Sequence, residues 1–215
     1  MAIAYDAVSN GEVNPGTSVS WNHTCTGSDR ILFLGIQTNT DSDPTDLTAV
    51  TYNSVAMTFI AKQSISGTSE YLYLYYLINP ASGTNSISIT RTTSGAMFGF
   101  ATSYTGAKQS GQPDASTTNT GTGTSLATSV TTVADNCWTV LTMASSNTNW
   151  DSLTGGTIRY NGAARGIGDS NSAITPAGST SLTVVMSASR TIWTVMASIA
   201  PSVPVTANGN LLDFM

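Results

Sequence analysis

The chain has 215 residues, of which 40% are apolar and only 9% charged, with a net charge of −5. Ordinary soluble domains carry about 25% charged residues. Seven scattered cations cannot line a nucleic-acid groove, no run is long enough for a membrane helix, and the wealth of Val, Ile, Thr, Tyr and Trp excludes a disordered chain.

Taken in chain order, the opening Met1-Ala2-Ile3-Ala4-Tyr5-Asp6 has neither the basic segment nor the apolar stretch of a secretory signal, so synthesis in the cytoplasm is expected. Period-two alternation predicts strands throughout, and no segment keeps a helical period for three turns. In the first half the strands fall near Val19–His23, Ile31–Thr38, Ala49–Tyr52, Met57–Ile65, Tyr71–Ile78, Ser86–Thr90 and Met97–Tyr104. Asn10-Gly11 and Gly27-Ser28 read as turns between them. The Gly/Thr/Ser-rich stretch Thr105–Ser125, with Pro113 inside it, reads as a connection, with the linker itself at residues 109–124. Further strands are predicted near Ala127–Thr132, Trp138–Ser145, Thr157–Tyr160, Ala164–Ile167, Ser181–Ser187 and Thr191–Ile199. Asn161-Gly162 is a strong two-residue hairpin signal, because both residues tolerate positive φ. Pro201 and Pro204 stop the last strand. Residues 201–215 form an extended arm whose apolar end, Leu211-Leu212-Asp213-Phe214-Met215, is expected to pack on its own domain or on a neighbouring subunit.

The grammar of strands and turns repeats. Thr17-Ser18-Val19-Ser20 followed by Arg30–Gly35 is echoed by Thr128-Ser129-Val130-Thr131 followed by Cys137–Thr142. Val50–Ala56 is echoed by Ile158–Ala164, and Pro80-Ala81-Ser82-Gly83-Thr84 by Pro176-Ala177-Gly178-Ser179-Thr180. The tyrosine strand Tyr71–Tyr76 finds no echo. Two such halves, near 1–108 and 125–200, cannot each bury a sheet face alone. The expected fold is therefore all-β: one antiparallel β-sandwich over residues 1–200, jelly-roll-like and built from two duplicated halves. An immunoglobulin-like tandem is the alternative, and it lacks the expected cysteine and tryptophan spacing.

No catalytic group repeats with the strands. His23 is the sole histidine and no Gly-x-Ser-x-Gly elbow occurs, so His23 reads as a packing or hydrogen-bonding residue. One histidine and two distant cysteines make a poor zinc site, and Cys25 and Cys137 read as buried thiols. The cluster Asp41-Ser42-Asp43-Pro44-Thr45-Asp46 is a poor match to a calcium loop and reads as a solvated loop. The glutamates, Glu12 and Glu70, are not paired as a glycosidase requires. The expectation is a non-enzymatic protein without metal or cofactor. Tyr71, Tyr73 and Tyr75 share one strand face and Leu72, Leu74 and Tyr76 the other. With the leucines inward, the tyrosine row faces outward or into an interface, where aromatic residues are enriched. Tyr71, Tyr73 and Tyr75, with Leu211, Leu212 and Phe214 of the arm, are thus the candidate partner-binding residues.

The runs Ser20–Leu32 (Ser-Trp-Asn-His-Thr-Cys-Thr-Gly-Ser-Asp-Arg-Ile-Leu) and Val50–Thr58, with Tyr104-Thr105-Gly106-Ala107 and the Gln112-Pro113 turn, resemble a loosely defined group of β-sandwich proteins of tailed bacteriophages and related bacterial surface proteins. The resemblance covers roughly residues 1–200. It implies a virion protein made in host cytoplasm. Without the coiled coil or long shaft of a tail fibre, the chain fits a compact accessory protein: a capsid decoration (cement) protein, a homo-oligomer with a trimer favoured, bridging major capsid protein or other virion subunits. The alternative is a host-surface glycan-binding module of a tail or vertex fibre, with Tyr73, Trp150 and Asp151 as candidate contacts. Neither reading involves nucleic acid or a membrane.

Overall fold

The computed structural model describes residues 1–39, 46–64 and 69–202. Its strands are β1 (Ala4–Cys25), β2 (Ile31–Thr38), β3 (Leu47–Tyr52), β4 (Val55–Ala56), β5 (Thr58–Ser64), β6 (Tyr71–Ile78), β7 (Gly83–Thr105), β8 (Ala115–Thr131), β9 (Trp138–Ser145), β10 (Ser152–Thr154), β11 (Thr157–Gly162), β12 (Arg165–Asp169) and β13 (Ser179–Ile199). The fold is an all-β sandwich of two antiparallel sheets, and each sheet draws all its strands from one half of the chain. The first runs β4-β3-β7-β2-β6-β5 with β1 beside β7, and the second runs β10-β13-β9-β12-β11 with β8 beside β13.

These two orders are the same order. β1 corresponds to β8, β2 to β9, β3 to β10, β5 to β11, β6 to β12 and β7 to β13, so the repeat seen in the sequence is a repeat of topology. One of its echoes is misaligned, however. Val50–Ala56 lies in the β3–β4 hairpin beside β7, whereas Ile158–Ala164 lies in β11 and its turn, at the far edge of the other sheet. The true partner of β3 is the short β10, which pairs with β13 at Ser152–Thr154. The tyrosine strand also has a counterpart after all, in β12, whose Arg165-Gly166-Ile167-Gly168-Asp169 shares the topology of β6 but none of its aromatics.

The long strands bend. β7 pairs with β3 up to Arg91 and with β2 from Met97 onward, and β13 pairs with β10 near Val184 and with β9 from Ile192 onward. Each sheet thereby folds over on itself and encloses a core of its own. In the first half Leu32, Leu34, Ile36 and Tyr73 meet Val19, Val50, Tyr52, Ile87 and Ile89. In the second half Leu141, Met143 and Met196 meet Val130, Leu182, Val184 and Trp150. The two halves then pack back to back through a third core, in which Phe33, Leu72, Leu74, Phe100 and Tyr104 face Trp138, Val140, Ile167, Trp193 and Val195. Central strands β2 and β9 are buried at every position because both of their faces are covered.

Two turn expectations fail for identifiable reasons. Asn10-Gly11 is strand: Gly11 pairs with Gly99, and the Trp21 indole lies over both, where a Cβ at either position would come within 2.4 or 2.2 Å of the ring. Here glycine marks close approach of a ring and not a turn. The β11–β12 turn falls at Ala163-Ala164, at φ 50° and 69°, while Asn161 and Gly162 remain paired in the hairpin. Asn161 Nδ2 donates to the Trp150 carbonyl (2.7 Å), and the Ala164 amide donates to Asn149 Oδ1 (2.6 Å), which fixes the register two residues later. The linker expected at 109–124 is also shorter. Strand β8 begins at Ala115, and its exposed face carries Ser116, Thr118, Thr120, Thr122 and Thr124. Threonine alternation is β-branched strand chemistry, which low complexity had disguised.

Candidate functional site

The two ends of the described chain meet. Pro201 bridges Ala107, the Ser202 amide donates to the Gly106 carbonyl (2.7 Å), and the Lys108 amide donates to the Ala200 carbonyl (2.9 Å). Gln112 Nε2 donates to the Ala200 and Lys108 carbonyls at 2.8 and 3.1 Å, which locks the 106–112 connection onto the end of β13. The Met1 ammonium donates to Ser202 O (2.7 Å) and Oγ (2.9 Å). Gly106, at φ 73°, is required here because a Cβ would lie 2.0 Å from the Ala2 carbonyl oxygen.

Beside this junction lies a cavity of about 580 Å³, walled by Met1, Ile3, Ala134, Trp138, Ala200 and Pro201, with Lys108 and Asp135 on its lining as the charged groups. Ser202 itself lines the cavity, so the chain passes from its wall into residues 203–215. Sequence reasoning missed this place. Its residues are scattered over five segments, and only Pro201 carried a local signal, as a strand terminator.

The predicted contact residues divide. Leu211, Leu212 and Phe214 lie outside the described residues. The tyrosine row does not face outward: Tyr73 is 1% exposed inside the first-half core, and Tyr71 and Tyr75 are half-buried against it. The leucine face was read correctly as core, but the folding-over of the sheet covers the other face as well. Tyr71 packs on Tyr73 with ring centroids 6.0 Å apart and lies under Lys62 Nζ at 5.3 Å, and Tyr75 meets the exposed Phe59 edge-on at 5.4 Å. Trp150, 2% exposed, is core too, while Asp151 is exposed.

The remaining polar candidates are structural. His23 is 1% exposed, its Nδ1 shares a 2.8 Å hydrogen bond with Ser9 Oγ, and Ser9 Oγ also accepts from Trp21 Nε1 at 3.0 Å. Its Nε2 is buried without a partner, and burial pulls the imidazole down from 6.5 to about 4. Cys25 and Cys137 are free, buried thiols, as expected. Burial and the adjacent Asp114 carboxylate push Cys137 up to about 12, the wrong direction for a nucleophile. Asp46 of the acidic cluster is taken by Arg91, at 2.6 Å with both side chains buried, and it also accepts from the Thr93 amide and the Thr92 hydroxyl. Asp41, Asp43 and their neighbours lie outside the described residues. Among the described residues no three His, Cys, Asp or Glu side chains gather as metal ligands.

A second buried network pins the halves together. Asp169 accepts from Arg159 Nε (2.7 Å) and Nη2 (3.0 Å) and from the Tyr104 hydroxyl (2.8 Å), and the Arg159 guanidinium lies 4.0 Å over the Tyr5 ring. Burial opposes the charge on Arg159, but the Asp169 hydrogen bonds and charge outweigh it and hold the guanidinium above its ordinary value. Burial, reinforced by Asp169, raises the Tyr104 phenol well above 10.

No protein-family model and no curated protein matches the chain. Among solved structures, a protein from Eubacterium rectale provisionally described as secreted is similar at 15% identity, covering 85% of this chain and 69% of that one, with a TM-score of 0.23. A likeness at that level carries no argument about fold or function.

Proposed function

We propose that the protein is a structural component of a phage virion, a capsid decoration protein that bridges neighbouring subunits through the arm beyond Ser202. One observation carries the reading. The body holds Ser202 by hydrogen bonds to Gly106 and to the Met1 ammonium, on the wall of an apolar cavity, and the next residues lead to Leu211-Leu212-Asp213-Phe214-Met215. An apolar segment launched from a rigid anchor is suited to packing on a neighbouring subunit. Two further features support it. The β8 segment from Ala115 carries no charged side chain and, among the described residues, takes its strand pairing from β13. The runs Ser20–Leu32 and Val50–Thr58, which carry the resemblance to phage β-sandwich proteins, lie in β1–β2 and β3–β5.

The mechanism is mass action: a protein that binds only the assembled lattice stabilises that lattice. The glycan-binding alternative loses Tyr73 and Trp150, both in the core, and keeps only Asp151. The test is a chain truncated after Ser202. It should fold with an unchanged urea midpoint, yet its copy number per virion, counted by quantitative mass spectrometry, should fall at least tenfold from the hundreds expected of a shell protein. Full occupancy by the truncated chain, or a handful of copies of the intact one, would refute the proposal.

A further inference from the structure

The chain that leaves the wall of the apolar cavity carries a pattern of its own. Residues 203–215, outside the described residues, read Val-Pro-Val-Thr-Ala-Asn-Gly-Asn-Leu-Leu-Asp-Phe-Met. Asn208-Gly209 is the dipeptide that two-residue hairpin turns favour, because both residues accept positive φ. Such a turn pairs Ala207 with Asn210, Thr206 with Leu211, Val205 with Leu212, Pro204 with Asp213 and Val203 with Phe214. Directly opposed residues share a face of the hairpin. One face then carries Val203, Val205, Leu212 and Phe214, and the other Pro204, Thr206, Leu211 and Asp213.

The proline fits the same register. The pair that closes a two-residue turn exchanges both backbone hydrogen bonds, and every second pair after it does likewise. Pro204 falls in one of the intervening pairs, where an N–H would point away from the partner strand and its absence costs nothing. At Asn161-Gly162 the same dipeptide is displaced from its turn by Asn149 and Trp150. At Asn208-Gly209 the apolar alternation and the place of the proline both agree with it.

A hairpin returns to where it began. Phe214 comes back opposite Val203, next to Ser202, which hydrogen bonds to Gly106 and to the Met1 ammonium hold on the cavity wall. That wall is Met1, Ile3, Ala134, Trp138, Ala200 and Pro201, enclosing about 580 Å³. The tether decides which copy's arm arrives. A segment joined to the wall by a few residues meets it at an effective concentration of about 1 mM or more, far above that of a second copy in dilute solution. We propose that in the free protein residues 203–215 fold back as a hairpin whose Val203, Val205, Leu212 and Phe214 face closes the cavity of the same chain. The proposal concerns the chain before assembly and does not rest on the virion reading. Where that reading holds, the arm is stored until a lattice brings neighbouring subunits to a comparable local concentration, and they compete for its apolar face. The docked arm is a small local unit that urea releases before the three cores open, so the urea midpoint of the body does not register it.

The experiment is NMR on the isotope-labelled full chain, at a dilution where sedimentation shows a monomer. Leu212 and Phe214 should give nuclear Overhauser contacts to Trp138 and Ile3, and the Trp138 indole resonance should move when the chain is truncated after Ser202. Leu212→Ser and Phe214→Ser should each lower the docking equilibrium about tenfold, read from the position of that resonance between its two limits. Gly209→Val, which puts a β-branched residue where the turn needs positive φ, should release the arm as well. Leu211→Ser, on the opposite face, should leave it docked. All these positions lie outside the three cores, so the body folds in every variant. A Trp138 resonance identical in full and truncated chains, arm contacts seen only between differently labelled copies, or a Leu211→Ser effect equal to that of Leu212→Ser would each overturn the proposal. Copy number per virion tests the assembly reading separately.

Discussion

Acidification from pH 7 to pH 5 should destabilise this protein through one side chain. His23 is the sole imidazole of the chain, so its titration cannot be confused with another. In the fold it is 1% exposed, its Nδ1 is engaged by Ser9, and its Nε2 faces no acceptor, so an imidazolium would bury an N–H with nothing to receive it. Burial lowers its pKa from 6.5 to about 4. The unfolded chain therefore takes up a proton that the native chain refuses throughout that interval. Stability is complete above pH 6.5, falls as the pH drops through the interval, and suffers no further loss from this group below about pH 4. The full shift corresponds to about 3 kcal/mol, and at pH 5 about 2 kcal/mol is already gone. Against a total stability of about 5–15 kcal/mol this is a large share. With an m-value of about 3 kcal/mol/M, the urea midpoint should fall by roughly 0.7 M between pH 7 and pH 5. The same comparison on His23→Gln should show most of that slope removed, whatever its absolute stability. Proton NMR of the imidazole gives the native titration directly. A wild-type midpoint that does not move between pH 7 and pH 5, or an imidazole titrating near 6.5 in the folded protein, would refute the reasoning.

Two further outcomes follow from the packing between and within the halves. Asp169→Ala leaves Arg159 and the buried Tyr104 hydroxyl without their shared acceptor and should cost about 3–5 kcal/mol in urea unfolding, whereas a loss below about 1 kcal/mol would show the network to be incidental. Gly99→Ala drives a methyl to within 2.2 Å of the Trp21 ring and should cost about 1–3 kcal/mol while shifting tryptophan fluorescence, and an unchanged spectrum and midpoint would mean that Trp21 does not rest on that glycine.

The strand content and the duplication were legible because both rest on local features. Alternation marks a half-buried strand, and Pro80-Ala81-Ser82 and Pro176-Ala177-Gly178 each precede the long bent strand of their half. Errors arose where long-range packing overrules local signals. Asn10-Gly11 looks like a turn until the Trp21 ring, ten residues on, is placed over it. Asn161-Gly162 is a good hairpin dipeptide, yet Asn149 and Trp150, in a different segment, pull the turn on to Ala163-Ala164. Alternation along β6 points to one buried face, with the tyrosine row outward or at an interface. β6 has two buried faces, since β7 serves both leaves of the folded-over first sheet, and nothing near Tyr73 in the chain reports that bend. The stacking of Arg165 on Phe98 was invisible for the same reason, since one residue comes from each half.

Duplication itself locates where new chemistry is tolerated. In a pseudo-symmetric pair the shared strands are constrained twice, by their own core and by the core between the halves. β2 and β9 are accordingly buried at every position. The corresponding pair β6 and β12 is constrained less. β6 spends its extra face on Tyr71, Tyr73 and Tyr75, whereas the shorter β12 begins with Arg165. That divergence puts an aromatic core in one half and, in the other, a guanidinium stacked on Phe98. The second asymmetry lies at the chain ends: the first half continues through residues 106–114 into β8, while the equivalent end of β13 runs past Ser202 into the arm. The proposed bridging segment therefore starts where the two copies have stopped resembling each other, and truncation after Ser202 leaves all three cores intact, since their residues end at Ile199.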